Sequence, residues 1–179
     1  MNDDIDAKDE DGGGYNVVSL EDIVSWLPEG MNEFSRLLAD NKRKYDEQWE
    51  PHRSEYDRQM DLFRESLVSL KPDTVSYHID NINAFLNGYC YREWIETVTE
   101  AADKIYWFLD DYDRRYRPEP YRVKRMSGSL KRFYRCLLDN SIVTTETYNR
   151  VLRTLKDQID GFIEDAEKRV TSSFWDEDL

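Results

Sequence analysis

Turn-forming residues are scarce: seven glycines and five prolines in 179 residues. An architecture of many short strands needs a turn signal at every strand end, so long helices are favoured over β sandwiches or barrels. Histidine is scarcer still, with only His52 and His78. No G-x-S-x-G, Walker A loop or G-x-G-x-x-G occurs, so acyl transfer and nucleotide binding lack their usual loops. The two cysteines, Cys90 and Cys136, are far apart. They form no C-x-x-C and no Cys/His spacing suited to zinc, and are expected to be reduced and partly buried. No apolar run approaches the ~20 residues that span a bilayer. The opening Met1-Asn2-Asp3-Asp4 lacks the basic-then-apolar order of a signal peptide. The expectation is a non-catalytic cytoplasmic protein with no cofactor, no metal, no membrane contact and no small-molecule substrate.

Core material is plentiful by contrast. Hydrophobic residues make up 39 % and aromatics 13 %, enough for one buried core plus an accessory segment. Residues 1–14, rich in Asp and ending Gly12-Gly13-Gly14, read as a disordered acidic tail. They fit no calcium-loop register. Residues 15–70 read as an accessory helical arm. Ser19 would cap a short helix, and another starts near Asn32 with Phe34, Leu38, Tyr45 and Trp49 on one stripe. Pro51 predicts a break or kink, followed by a helix over about 53–70 carrying Tyr56, Met60, Phe63, Leu67 and Leu70.

Lys71-Pro72-Asp73 opens the core domain, expected over 71–170. Val75, Ile79, Ile82 and Leu86 repeat at helical spacing, and Gly88 stands where a C-cap would fall. Thr97 and Glu100 form a capping box for a helix with Ala101, Ile105, Phe108 and Tyr112. After Pro118 and Pro120 comes a helix over 122–138 with Val123, Met126, Leu130, Phe133 and Leu137 inward. Thr144 or Thr145 starts the last one, carrying Tyr148, Val151, Leu152, Leu155, Ile159 and Phe162. Residues 171–179 read as an acidic tail.

The formal charge is -13, which fits a highly soluble protein or, because Arg outnumbers Lys and Asp is abundant, adaptation to high salt. It is not evenly spread. Between Arg114 and Arg135 there are nine basic residues and one acid, Glu119, so this segment carries +8 and the remainder -21. On a helix at about 100° per residue, Lys124, Arg125, Lys131, Arg132 and Arg135 fall opposite the apolar arc. Arg122 precedes them. Gly128 and Ser129 are small, as if to admit a large anionic partner, and Tyr116, Tyr121 and Tyr134 flank the cluster. Two readings stay open. The face contacts nucleic-acid phosphates, or it is a solvated face that pairs with the acidic remainder of the molecule.

Other chemistry is thinly supported. His78 is expected at the edge of an amphipathic helix, hydrogen-bonded. Asp110-Asp111-x-Asp113 offers carboxylates for a divalent ion, but the arginines that follow would neutralise them.

Three segments carry a resemblance. Thr74-Val75-Ser76-Tyr77-His78-Ile79-Asp80-Asn81-Ile82-Asn83-Ala84-Phe85-Leu86 looks like a first helix written T-x-x-x-Y-x-x-x-L-x-x-F-L. Val98 to Ile105 looks like the helix entry hT-x-x-D-I. Val123-Lys124-Arg125-Met126-Ser127-Gly128-Ser129-Leu130-Lys131-Arg132-Phe133 is similar to h-x-R-x-L-S-A-L-R-x-F, and Asn140-Ser141-Ile142 to the turn that follows it. Together they resemble the SAM-like core-binding domain of tyrosine recombinases, or phage integrases, and small stand-alone recombinase-like proteins. The resemblance implies an all-α fold, a SAM-like orthogonal four-helix core with an N-terminal helical extension. It also implies duplex DNA as the partner, with Lys124, Arg125, Lys131, Arg132 and Arg135 as phosphate contacts; Arg122 joins them as a candidate from the charge pattern alone. The recombinase catalytic set is missing, since neither histidine begins H-x-x-R. A protein-interaction or self-associating adaptor, with the basic helix against an acidic partner, is the alternative.

Overall fold

The computed structural model describes residues 29–175, and among these it contains helices and turns but no strand. The acidic tail 1–14, the helix expected at Ser19 and residues 176–179 lie outside the described residues. Six α-helices follow in order: α1 Glu29–Ser66, α2 Pro72–Asn83, α3 Val98–Asp103, α4 Ile105–Tyr116, α5 Pro120–Asp139 and α6 Thr145–Trp175. No described helix is long and apolar enough to cross a membrane.

The chain divides into two compact units after Gln48. In the first, residues 29–48 belong to α1, and the exposed side chains pair along the helix: Lys42 with Asp46 at 2.6 Å and Arg43 with Asp40 at 3.3 Å. Leu37 and Leu38 are exposed.

The second unit holds the core. Here α1 continues through Pro51, so the expected break does not occur. Proline costs an interior helix about 3 kcal/mol through a lost hydrogen bond and a clash with the preceding turn. Burial on either side outweighs that. Trp49, Tyr56, Phe63 and Leu67 are all fully buried, and each such side chain contributes about 1.5–3 kcal/mol. The stripe read from sequence as part of an arm thus joins the same hydrophobic cluster as Ile82, Phe108 and Phe133.

Gly88 does not cap a helix. From Ala84 to Cys90 the chain widens into a π-helical stretch, and the backbone of Gly88 stays in ordinary negative-φ space. Phe85, Leu86, Tyr89 and Cys90 along this stretch are all buried.

Elsewhere the local signals act as read. Thr97 caps α3, its hydroxyl accepting from the Glu100 amide at 3.2 Å, while the Glu100 carboxylate accepts from the Glu96 amide at 3.3 Å. The helix expected from Thr97 to Tyr112 is split at Lys104, whose backbone (φ -103, ψ 3) ends α3 and begins α4. Thr144 caps α6, accepting from the Thr147 amide at 3.1 Å.

Helix α5 has the most buried side chains, nine from Val123 to Leu137. It packs on α6 and α2. The Phe133 ring meets Phe63 edge-on at 5.3 Å, and Tyr134 donates from its buried hydroxyl to the Val98 carbonyl at 2.9 Å.

Candidate nucleic-acid interface

Helix α5 begins at Pro120, whose fixed φ and missing amide suit a first helical position. At about 100° per residue its nine buried residues fill one half of the circumference. Lys131, Lys124, Arg135, Gly128, Arg132 and Arg125 follow one another across the other half, and all are exposed. The structure therefore brings five of the six expected residues onto one surface. Arg122 stands apart, rotated by about 60° from Arg125 toward the helix start. There its Nε donates to the Tyr121 hydroxyl at 3.2 Å.

Gly128 sits at the middle of the basic arc, one turn from Lys124, Arg125, Lys131 and Arg132. A Cβ built there would meet nothing within 4 Å. Glycine in a helix interior costs about 1 kcal/mol relative to alanine, and no packing requirement offsets that here.

Ser129 is different. It is fully buried, so it cannot line a surface for a partner. Its hydroxyl donates to the Arg125 carbonyl at 3.0 Å and accepts from Asn81 Nδ2 at 2.9 Å. His78 Nδ1 lies 2.8 Å from the same oxygen. The two groups hydrogen-bond, and the ring tautomer decides which of them donates. His78 is therefore buried, not at a helix edge. Burial lowers its pKa from the ordinary 6.5, and the nearby Arg132 guanidinium lowers it further, so the ring is held neutral. This His78–Ser129–Asn81 cluster fixes α5 against α2, and with it the rotation of the basic face.

Tyr134, expected to flank the face, is also buried and serves the core. Tyr116 and Tyr121 are exposed. Sequence reasoning missed Tyr77 of α2. The Arg125 guanidinium lies 4.9 Å from its ring and 5.4 Å from that of Tyr121, so two aromatic faces hold this cation. No motif pointed to it: counted from Thr74, the Tyr position of T-x-x-x-Y falls on His78.

Ion pairing separates these cations from the others. In the same basic segment, Arg114 pairs with Asp110 at 2.9 Å and Arg115 with Asp111 at 2.8 Å. Asp111 also takes Arg92 at 2.7 Å, and Asp113 takes Arg169 through both carboxylate oxygens. The three carboxylates of Asp110-Asp111-x-Asp113 are thus each occupied by arginine. On the α5 face, Arg135 pairs with Asp139 at 3.0 Å. Arg122, Lys124, Arg125, Lys131 and Arg132 have no carboxylate partner among the described residues.

From Lys124 to Arg135 the face runs about 16 Å at 1.5 Å per residue, close to the rise of five base pairs of duplex DNA. Comparison with protein-family models, with curated proteins and with solved structures finds no match, so the reading of this face rests on its own geometry.

Proposed function

We propose that the chain is a non-catalytic helical module that contacts the phosphate backbone of duplex DNA through the exposed face of α5. The observation that carries this reading is that four of the five cations on that face, Lys124, Arg125, Lys131 and Arg132, have no carboxylate partner among the described residues, and neither has Arg122 at its edge. A face serving only solubility would be stabilised by its own acids one turn away, at about 0.2–0.5 kcal/mol per pair. Here Lys131 and Arg135, four residues apart, instead repel one another by a similar amount. A phosphate backbone supplies the missing counter-charges and releases condensed ions as it does so.

The resemblance to a recombinase core-binding domain supports the same partner and five of the six residues, Arg122 resting on the charge pattern alone, and with them a SAM-like arrangement of the helices. Phosphate contacts carry no sequence information, so binding would be indifferent to sequence. The acidic remainder weakens attraction at long range. Its repulsion is screened beyond about 10 Å at 0.1 M salt, whereas charges in contact with phosphate are not.

The test is a fluorescence-anisotropy titration of two labelled duplexes of unrelated sequence at 0.05 M salt. Both are expected to bind, with affinities within about threefold of each other. No binding of either duplex would sink the proposal. Binding confined to an acidic polypeptide would replace it with a protein-docking role for the same face.

A further inference from the structure

At its N-terminal end the basic face runs into a cleft of about 200 Å³ where α2, α4 and α5 meet. Tyr77, Asp80 and Asn81 line one wall, Tyr112 another, and Tyr121, Arg122 and Arg125 of α5 the third. The volume is below the ~300–1,000 Å³ of pockets that enclose small organic ligands, so the occupant is a group and not a whole molecule.

The two arginines are held in an unusual way. Arg125 rests on the rings of Tyr77 and Tyr121, and Arg122 lies 5.9 Å from the Tyr121 ring. Stacking occupies the flat faces of a guanidinium and leaves free the N–H edges of Arg125 and the terminal NH2 groups of Arg122, whose Nε–H donates to the Tyr121 hydroxyl. Asp80 lines the same cleft, yet it pairs with neither arginine. Its Oδ2 accepts from the Ser76 hydroxyl at 3.4 Å. Two cations and one carboxylate leave the cleft with a charge of about +1, which suits a monoanion better than a dianion.

We propose that this cleft is a phosphodiester subsite, in which Arg122 and Arg125 grip one phosphate of a nucleic-acid strand lying along α5. The inference deepens the proposed function and rests on it for the identity of the larger partner. Guanidinium edges match the two non-bridging oxygens of a phosphate. The Tyr112 hydroxyl and the second N–H of the Asn81 amide, whose first goes to Ser129, lie on the other walls as additional donors. Asp80 sets the charge preference, rejecting phosphate monoesters. The subsite would fix the register of the strand on a face that otherwise offers only point charges.

Dimethyl phosphate is the probe, added to the full chain at pH 6.5 and followed through the arginine Nε–Hε signals. The signals of Arg122 and Arg125 are expected to shift together along one saturating curve in the millimolar range, while those of Arg132 and Arg135 drift without saturation. Asp80→Asn should tighten that curve at least about threefold, and Arg125→Gln should abolish saturation at Arg122. Should Arg125→Gln disturb the fold, the wild-type and Asp80→Asn curves decide alone. An Arg125 signal that drifts like Arg132, or tighter saturation by methyl phosphate than by the diester, would overturn the subsite. Duplex binding is measured separately. Duplex binding without a saturating diester curve defeats the subsite only, and a saturating curve without duplex binding defeats the larger reading only.

Discussion

Helices α1 and α5 both expose a charged surface, but they neutralise it differently. On α1 the cations stand one turn from acids: Arg43 beside Asp40, Lys42 before Asp46, Arg58 beside Glu55, Arg64 beside Asp61. The Glu55 carboxylate is held below its ordinary pKa, first by its hydrogen bond from Arg58. On α5 the sequence offers no acid between Pro120 and Leu138, and only Asp139 at the end reaches a cation. A surface laced with i,i+3 and i,i+4 pairs needs no partner. One with a row of like charges leaves its repulsion uncompensated among the described residues, and under the proposed function a strand of phosphates supplies the counter-charges.

That contrast can be broken most severely by removing the α5 charges together. The triple variant Arg125→Gln, Lys131→Gln, Arg132→Gln should lose about 100-fold or more in duplex affinity at 0.05 M salt. Its log–log salt slope should fall by about 2.7, at 0.9 per phosphate contact. The matching triple on α1, Arg53→Gln, Arg58→Gln, Arg64→Gln, should leave affinity within about twofold, read in the same titration.

Loss of the anchor beneath the face comes next. Ser129→Ala leaves His78 Nδ1 and Asn81 Nδ2 without their shared partner, and a buried polar group left unpaired costs about 1–3 kcal/mol. Urea denaturation should show a lowered midpoint with an unchanged m-value. Gly128→Ala should act in opposite directions on two readouts. Stability rises by up to about 1 kcal/mol because alanine favours the helix, while duplex affinity falls several-fold because the added methyl lies in the middle of the contact face. A change of the same sign in both would remove Gly128 from the interface.

Lys131→Glu sharpens the comparison by giving α5 the habit of α1. The new carboxylate stands four residues before Arg135, the favourable order, so thermal stability should rise by a few tenths of a kcal/mol while duplex affinity drops. The smallest effect is a pH slope. The folded chain holds His78 neutral, and the unfolded chain binds a proton near pH 6.5. The stability tied to its neutral form is complete above that pH and is lost as pH falls toward the lowered folded value. His78→Asn should flatten stability between about pH 6.5 and 5, above the range where the carboxylates titrate.

Much of α5 was legible in the sequence because it depends on neighbours along one helix. Val123, Met126, Leu130, Phe133 and Leu137 mark the buried arc, and the five cations mark the opposite one. What depended on partners distant in sequence was not. Ser129 reads as a small surface residue until His78 and Asn81, about fifty positions earlier, are brought onto it. Pro51 reads as a break because local rules weigh only the lost hydrogen bond, not the burial of Trp49 and Tyr56 on either side of it. Gly88 reads as a cap because a π-helical widening has no sequence signature of its own. Above all, a sequence shows how many acids and bases there are but not which of them meet.

The salt dependence of duplex binding tests the central claim most directly. Anisotropy titrations of the full chain between 0.05 and 0.3 M salt should give a linear log–log plot with a slope of about -4 to -5, the signature of five phosphate contacts. A slope near zero, or no binding at the lowest salt, would contradict the account.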